Sequence, residues 1–343
     1  MIRAVERLLD AVGDAVVTVG GGRAVRRGTD RLLAGRRTLP GEDALAREVD
    51  ALGGEVVKLR SRDGLRLSGR WLPAEEGGDG WRPDPYEAIL LLHGWSGSVA
   101  PDLVEVGPFL RRTAGVLGLD FRGHGGSDDA PTTFGLHEVE DVAGALGWLG
   151  ERGIRRVALV GSSMGGITAI ASVVVLGDGS LPAADIDPSA PVAPAPPRQP
   201  RIVGVVAEDV PSELPVAVAN RMRGPRFIRL AFARRLFSEA ARRLGADPRA
   251  TEPIRVVALV EPVPLLLVHG DADATVPLAE GRRVAAHAGP SGDHWVIPGG
   301  GHGSGHSAAP TAYEARVTEF LRAAFAGARD PAAILAANDP REA

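Results

Sequence analysis

The sequence predicts an α/β fold: a doubly wound, mostly parallel sheet with helices packed on both faces. Short apolar runs typical of buried strands alternate along the chain with longer stretches of helical spacing. Four short signals rich in glycine or histidine each follow one of these runs directly. They are His93-Gly94-Trp95, Gly161-Ser162-Ser163-Met164-Gly165, His269-Gly270-Asp271-Ala272-Asp273 and Gly301-His302-Gly303. Because functional groups in such sheets gather beyond the carboxyl ends of the strands, we expect the four signals to meet at one edge.

An antiparallel hairpin is expected before the parallel strands. Residues 56–60 and 65–71 flank Arg62-Asp63-Gly64, and an Asp-Gly pair between two strand-like runs is a strong turn signal. Strands and helices then alternate, which predicts parallel pairing. The candidate later strands are 88–92, 115–120, 156–160, 202–207, 264–269 and 294–297. The candidate helices are 103–112, 137–152, 166–176, 278–288 and 311–326.

Length and composition fit one large domain with appendages. The chain has 343 residues, a net charge of -4 and 24% charged residues, which gives no overall basic field for nucleic acid. The absence of cysteine excludes disulfides, thiolate metal sites and a cysteine nucleophile. The histidines show none of the spacings of zinc ligands, so we expect neither a metal nor a cofactor.

Three regions are expected along the chain. They are an N-terminal helical extension over 1–53, the α/β domain over 54–326 and a C-terminal tail over 327–343. Residues 211–255 leave a strand at its carboxyl end, which predicts a helical cap over the functional edge. The loop 181–200, rich in proline and alanine, leaves a helix instead and is interpreted as a spacer.

The N-terminus carries no recognisable targeting signal. Glu6, Asp10 and Asp14 interrupt every apolar stretch long enough for a signal peptide, and no run approaches the length of a membrane helix. We therefore expect a cytoplasmic protein without an integral membrane segment. Apolar residues at helical spacing in the same stretch are typical of a helix packed on the protein's own body.

A nucleophile elbow is predicted at Gly161-Ser162-Ser163-Met164-Gly165. The match to G-x-S-x-G lies between a strand-like run, 156–160, and an apolar helix, 166–176. Glycines on both sides let the backbone turn sharply without a Cβ in the way. Ser163 is therefore the expected nucleophile.

Three further segments accompany the elbow. They are Leu-Leu-His93-Gly94-Trp95, Leu119-Asp120-Phe121-Arg122-Gly123-His124-Gly125 and His269-Gly270-Asp271-Ala272-Asp273-Ala274-Thr275-Val276-Pro277. With them, residues from about 54 to 326 resemble the α/β-hydrolase superfamily. The set is similar to esterases of the BEM46-like and monoacylglycerol-lipase-like types, and also to prolyl-oligopeptidase-like and dienelactone-hydrolase-like enzymes. The resemblance implies a cofactor-independent hydrolase with serine, acid and histidine in that chain order.

His302 is the expected general base. A serine hydroxyl is a poor nucleophile at neutral pH, so an imidazole must take its proton and return it to the leaving group. His302 follows a short strand in a glycine-rich segment, where the resembled fold carries its histidine. His306 is the nearest alternative. His93 and His269 are interpreted as strand-end residues that hydrogen-bond to loops.

Asp273 is the expected acid that orients the imidazole. It occupies the acid position when the His-Gly-x-x-Asp-x-x-Val-Pro motif of the resembled fold is laid on residues 269–277. Asp271 comes too early and is expected to shape the turn. Glu208 and Asp209 remain alternatives, because they follow the strand-like run 202–207 and would reach the same edge.

Two backbone N–H groups are expected to bind the oxyanion. Met164 follows the nucleophile directly and supplies one of them. Trp95, just after His93-Gly94, resembles the segment that supplies the second. Its indole is also a candidate wall of the substrate pocket, together with Phe227 and Phe232 in the predicted cap.

The predicted cap is strongly basic. We interpret its arginines as a solvated face, with an anionic-substrate clamp as the alternative. They are Arg221, Arg223, Arg226, Arg229, Arg234, Arg235, Arg242 and Arg243.

The residues together predict a hydrolase that cleaves small-molecule carboxylic esters through an acyl-enzyme on Ser163. A peptidase or amidase with the same triad is the alternative enzyme, since acyl transfer to water uses the same groups. A catalytically silent binding module on this fold is the alternative of another class. The sequence predicts no oligomeric state.

Overall fold

A mostly parallel sheet forms the centre of the computed structural model, which describes residues 22–35, 41–95, 97–177 and 199–328. Within those ranges the sheet has eight strands in the order β1-β2-β4-β3-β5-β6-β7-β8. Their bounds are β1 Glu55–Arg60, β2 Arg66–Leu72, β3 Glu87–Leu92, β4 Gly115–Asp120, β5 Arg156–Ser162, β6 Arg201–Glu208, β7 Leu265–Gly270 and β8 Gly292–Ile297. β2 pairs antiparallel with β1 and β4, and the other pairs are parallel. The predicted hairpin and doubly wound sheet are confirmed.

Helices cover both faces of the sheet. Residues of α4 and α5 share one apolar core with the sheet, and residues of α3 and α11 share the other. The longer helices are α1 Gly22–Leu33, α2 Glu42–Ala51, α3 Ala100–Leu110, α4 Glu138–Glu151, α5 Met164–Leu176, α6 Leu214–Asn220, α7 Arg226–Leu244, α9 Leu278–Ala285 and α11 Pro310–Ala328. One-turn helices are α8 Pro253–Val256 and α10 Gly305–Ala308, with 3₁₀ turns at Pro248–Thr251 and Val257–Leu259.

The burial of each strand explains its composition. β3 and β4 are buried along their whole length, so their sequences are nearly continuous apolar runs rather than alternating ones. β1 lies at the edge of the sheet, and only Val57 and Leu59 on one of its faces are buried. Parallel pairing from β3 to β8 brings the carboxyl ends of these strands to one edge.

A buried ion cluster fixes the turn after β4. The Arg122 guanidinium donates two hydrogen bonds to Asp141 in α4, at 2.7 and 3.0 Å, and two to Asp63 in the β1–β2 turn, at 2.9 Å each. The Asp63 pair is bidentate, with one hydrogen bond to each carboxylate oxygen, whereas both guanidinium hydrogen bonds to Asp141 go to its Oδ1. The hairpin, β4 and α4 are thereby held together beside the functional edge.

The segment between β6 and β7 forms a cap built around α6 and α7. Helix α1 packs on α7: the Thr29 hydroxyl donates to the Leu236 carbonyl at 3.4 Å, and Arg243 pairs with Asp30 at 2.5 Å. A Cβ at Gly28 would lie only 2.7 Å from Leu236, so glycine permits this close approach. Residues 22–35 of the predicted extension therefore belong to the cap layer.

Several predictions concern parts of the chain outside the described residues. These include the apolar stripe near the N-terminus, most of the spacer 181–200 and the tail beyond residue 328. The predicted domain boundaries stay predictions. Among the helices that the structure describes, none has the length and apolar character needed to cross a bilayer.

Candidate active site

Ser163 occupies a sharp turn between β5 and α5. Its φ and ψ are 52° and -114°, a conformation that side-chain-bearing residues rarely adopt. A Cβ at Gly161 would lie 2.4 Å from the Gly165 carbonyl carbon, and one at Gly165 would lie 2.0 Å from the Leu92 carbonyl oxygen. Only glycine fits at both positions, and the strained serine they flank matches a nucleophile elbow.

Ser163, His302 and Asp273 form one hydrogen-bonded chain. The Nδ1 atom of His302 lies 2.7 Å from Asp273 Oδ2, and its Nε2 atom lies 3.1 Å from Ser163 Oγ. Because a carboxylate only accepts, Nδ1 carries the proton and Nε2 is left to accept the serine hydroxyl proton. Asp273 is buried, and its Oδ1 accepts the backbone N–H groups of Thr275 and Val276 at 2.7 and 2.8 Å. These two backbone hydrogen bonds fix the position of the carboxylate that contacts the imidazole.

The other candidate histidines have different partners. His306 directs Nε2 to Glu314 at 3.2 Å and Nδ1 to Glu105 at 3.4 Å, so it does not contact Ser163. His93 accepts the Phe121 N–H at 3.1 Å, and burial lowers the pKa of His93 to about 3. His269 contacts the Val276 carbonyl at 2.7 Å. His93 and His269 therefore hydrogen-bond to loops at strand ends, as predicted.

The alternative acids accept hydrogen bonds from backbone N–H groups and from the Tyr313 hydroxyl, not from the His302 imidazole. Glu208 accepts the Gly305 N–H and the Tyr313 hydroxyl, both at 2.8 Å. Asp209 accepts the N–H groups of Gly270 at 3.0 Å and Gly303 at 2.6 Å. Burial raises the pKa of Glu208 to about 7 and that of Asp209 to about 6. The hydrogen bond to His302 Nδ1 comes from Asp273.

Asp271 shapes the neighbouring turn, as its position before Asp273 suggested. Its Oδ1 accepts the Gly299 N–H at 2.7 Å, and its side chain is exposed. This contact links the end of β7 to the start of the His302 loop from the solvent side.

The loop after β3 packs directly on the elbow. A Cβ at Gly94 would lie 3.7 Å from Ser163 Cβ, and the protonated Nδ1 of His93 donates to the Gly94 carbonyl at 2.6 Å. Trp95 follows in the same loop. Met164 begins α5, where the first N–H groups have no partner in a preceding turn. Both residues expected to supply oxyanion donors thus lie next to Ser163.

A small cavity adjoins Ser163 beneath the cap. Its volume is about 30 Å³, far below the roughly 300 Å³ of an ordinary small-molecule pocket. Trp95 packs edge-on against Phe134 in its wall, with ring centroids 5.5 Å apart. The lining residues are Trp95, Phe134, Ser163, Met164, Ile167, Pro211, Leu214, Ala217, Val218, Arg221, Thr275 and Val276. A larger groove of about 650 Å³ near Phe109 contains none of the predicted site residues.

The predicted pocket residues of the cap need a correction. Phe227 and Phe232 do not line the cavity, whose cap wall comes from α6 and the residue Pro211 before it. α7 directs Phe232 toward Gly28 of α1 and the main core instead. The sequence did not indicate which helix of this segment faces Ser163.

Arg221 is a cavity residue that sequence reasoning did not single out from the other arginines. It directly follows α6, and its guanidinium lies 5.6 Å from the centroid of the Trp95 ring. Phe134, Leu214 and Val218 were also missed. The signal that identifies α6 is its position directly after the carboxyl end of β6.

Comparison with known sequences decides the family. A profile described as "Alpha/beta hydrolase family" matches residues 89–316, which is more than half of the chain. The chain belongs to the alpha/beta hydrolase family. This alpha/beta hydrolase is 26% identical over 253 residues to the uncharacterized protein YfhR of Salmonella typhi, covering 72% of this chain and 74% of that protein.

Solved structures of similar fold include two hydrolases. The Pyrococcus furiosus esterase Pf2001 has a TM-score of 0.59 and 22% identity, with 85% of this chain and 97% of that chain covered. A puromycin hydrolase has a TM-score of 0.57 and 21% identity, with 80% of this chain and 39% of that chain covered. In both cases the similarity is one of fold.

Proposed function

We propose that this hydrolase cleaves carboxylic esters through an acyl-enzyme on Ser163. The observation that carries the proposal is the hydrogen-bonded chain from Asp273 through His302 to Ser163 Oγ. His302 takes the hydroxyl proton as Ser163 attacks the ester carbonyl, and it returns that proton to the departing alcohol. Water then repeats the sequence and releases the acid. Asp273 holds the productive tautomer and offsets the charge that His302 acquires.

The tetrahedral intermediate is proposed to bind at the backbone N–H groups of Met164 and Trp95. Met164 N–H lies at the N-terminus of α5, where the helix dipole also favours negative charge. The loop that carries Trp95 packs against Ser163, which places its backbone close enough for its N–H to converge with that of Met164 on the same oxygen.

The favoured substrates are esters with short acyl groups. The cavity beside Ser163 is small and apolar, and α6 closes it from above. An amide needs the same catalytic groups, but a peptide needs an extended groove that this cavity does not provide. Acyl groups from acetate to butyrate are therefore expected to be preferred over longer ones.

A serine-reactive probe tests the nucleophile. A fluorophosphonate should label the wild-type chain, and Ser163→Ala should stay unlabelled and lose on the order of 10³-fold or more in kcat on p-nitrophenyl acetate. Mass spectrometry of the labelled peptide identifies the modified residue. The matched control is Ser162→Ala, which removes the adjacent hydroxyl and should retain labelling. Labelling of Ser162, or of Ser163→Ala, would refute the assignment.

The same preparation compares ester and amide substrates. p-Nitrophenyl esters from acetate to octanoate are run beside aminoacyl anilides. Faster turnover of the anilides than of acetate and butyrate esters would replace the ester proposal with an amidase.

A further inference from the structure

The loop that carries His302 has little intrinsic rigidity. Residues 298–305 contain glycine at positions 299, 300, 301, 303 and 305, and glycine loses more conformational freedom on ordering than any other residue. A general base must nevertheless be held within about 0.5 Å of its working position. Some other group must therefore supply the order that the loop sequence lacks.

The buried carboxylate of Asp209 binds this loop at the residue after His302. Its Oδ2 accepts the Gly303 N–H at 2.6 Å, and its Oδ1 accepts the Gly270 N–H at 3.0 Å. Gly270 ends β7, three residues before Asp273. The Asp209 side chain thus links the backbone next to His302 with the backbone near Asp273.

The backbone around Asp209 is fixed as well. Its N–H donates to the Val268 carbonyl at 2.9 Å, and its φ of 51° lies in the left-handed region that aspartate seldom occupies. The carbonyl of the preceding Glu208 accepts the Ser163 N–H at 2.8 Å. The end of β6 therefore contacts the segments of all three proposed catalytic residues.

We propose, on the basis of the function proposed above, that Asp209 is a positioning residue that fixes the His302 loop relative to Asp273 and Ser163. Both of its partners are N–H donors, so the position requires a side chain that only accepts hydrogen bonds. Its carboxylate also lies near the imidazole. One carboxylate oxygen of Asp209, one of Asp273 and one ring nitrogen of His302 all lie within 4.8 Å of one another. Asp209 therefore adds negative charge beside the imidazolium that forms during acyl transfer.

Asp209→Asn tests the proposal with little change of volume. The NH₂ group of asparagine would face one of the two backbone N–H donors and could not accept its hydrogen bond. Loss of that bond should release the loop. We expect kcat to fall on the order of 10- to 10²-fold while KM changes by less than about threefold, since a misplaced catalytic group costs that much. The acidic limb of the pH–kcat profile should move to lower pH, because loss of a nearby negative charge lowers the pKa of His302.

Glu208→Gln is the matched control. Glu208 is equally buried and also holds the loop, but its amide can still accept the Gly305 N–H and donate to the Tyr313 hydroxyl oxygen. Its kcat should stay within about threefold of wild type. An equal loss in both variants would assign the effect to any lost buried charge and overturn the proposal.

Imidazole ¹⁵N shifts of the substrate-free chain give a readout that does not depend on hydrolysis. A lower His302 pKa in Asp209→Asn supports the proposal even if the wild-type chain cleaves no ester, in which case only the proposed function fails. An unchanged His302 pKa and kcat, or a kcat loss as large as that of Asp273→Asn, would overturn it. If Asp209→Asn does not fold, Asp209→Ser takes its place, because its single oxygen atom cannot occupy the positions of both Oδ1 and Oδ2, which accept the two N–H groups.

Discussion

The Asp273 carboxylate divides its two oxygens between different tasks. Oδ2 contacts His302 Nδ1, while Oδ1 accepts two backbone N–H groups of the following turn. Asp273→Asn should keep the turn, since an amide oxygen still accepts at Oδ1. Its NH₂ group at the Oδ2 position, however, favours the wrong tautomer of His302. We expect kcat to fall about 10⁴-fold, measured on p-nitrophenyl acetate with unfolding followed in parallel. Near-normal turnover with a folded chain would remove Asp273 from the acid role.

At the scale of single residues, the sequence predicted which side chains come together better than it predicted their backbone partners. The motifs selected Ser163, His302 and Asp273, and the structure brings these three together. They left Glu208 and Asp209 open, because a carboxylate after β6 reaches the same edge. Glu208 and Asp209 differ from Asp273 in that they accept backbone N–H groups 61 or more positions away along the chain. No local pattern encodes contacts at that separation.

At the scale of elements, α6 lines the cavity beside Ser163 that we propose as the acyl site. Val218 on α6 lines the cavity, whereas Phe232 on α7 packs toward α1. Val218→Ala should therefore raise kcat/KM for butyrate relative to acetate. Each additional buried methylene contributes up to about 0.8 kcal/mol, or roughly fourfold in that ratio. p-Nitrophenyl esters of graded length measure it.

Phe232→Ala is the control on the neighbouring cap helix. It removes more volume than Val218→Ala but should leave the butyrate-to-acetate ratio unchanged. A shift of the ratio in Phe232→Ala alone would return the acyl site to α7 and contradict the cavity described above.

The elements themselves were predictable because burial dictates their patterns. The expected strand 115–120 coincides with β4, and the expected helix 137–152 differs from α4 by one residue at each end. The orientation of the cap was not predictable. α7 carries aromatic residues typical of a pocket, yet its apolar side packs against α1. That helix lies more than 190 positions earlier in the chain. The cap wall of the cavity beside Ser163 therefore comes from α6.

At the scale of the whole molecule, the strand-end edge concentrates buried acids that the fold must accommodate. Glu208 and Asp209 have pKa values raised by burial, and burial also raises the pKa of Asp102 to about 7. Each carboxylate that loses water without a cation beside it favours its neutral form. The stability of the folded chain is therefore linked to the protonation of these carboxylates.

Glu208 makes that linkage testable through the free energy of unfolding. Burial, with the nearby Asp209 and Glu105 charges, raises its pKa from 4.5 to about 7, although Tyr313 and Gly305 donate to it. Between those pH values the folded chain binds more protons than the unfolded chain, so the contribution of Glu208 to stability decreases as pH rises. The full loss above pH 7 is on the order of 3 kcal/mol.

Glu208→Gln cannot titrate and should escape this loss. Urea unfolding at pH 5 and pH 8 should therefore show the variant gaining stability relative to wild type at the higher pH. Asp271→Asn, which replaces an exposed carboxylate near the same loop, is measured in parallel as the matched control. If Glu208→Gln instead loses stability relative to wild type as pH rises, the hydrogen bonds from Tyr313 and Gly305 outweigh burial and Glu208 is stabilised as the anion.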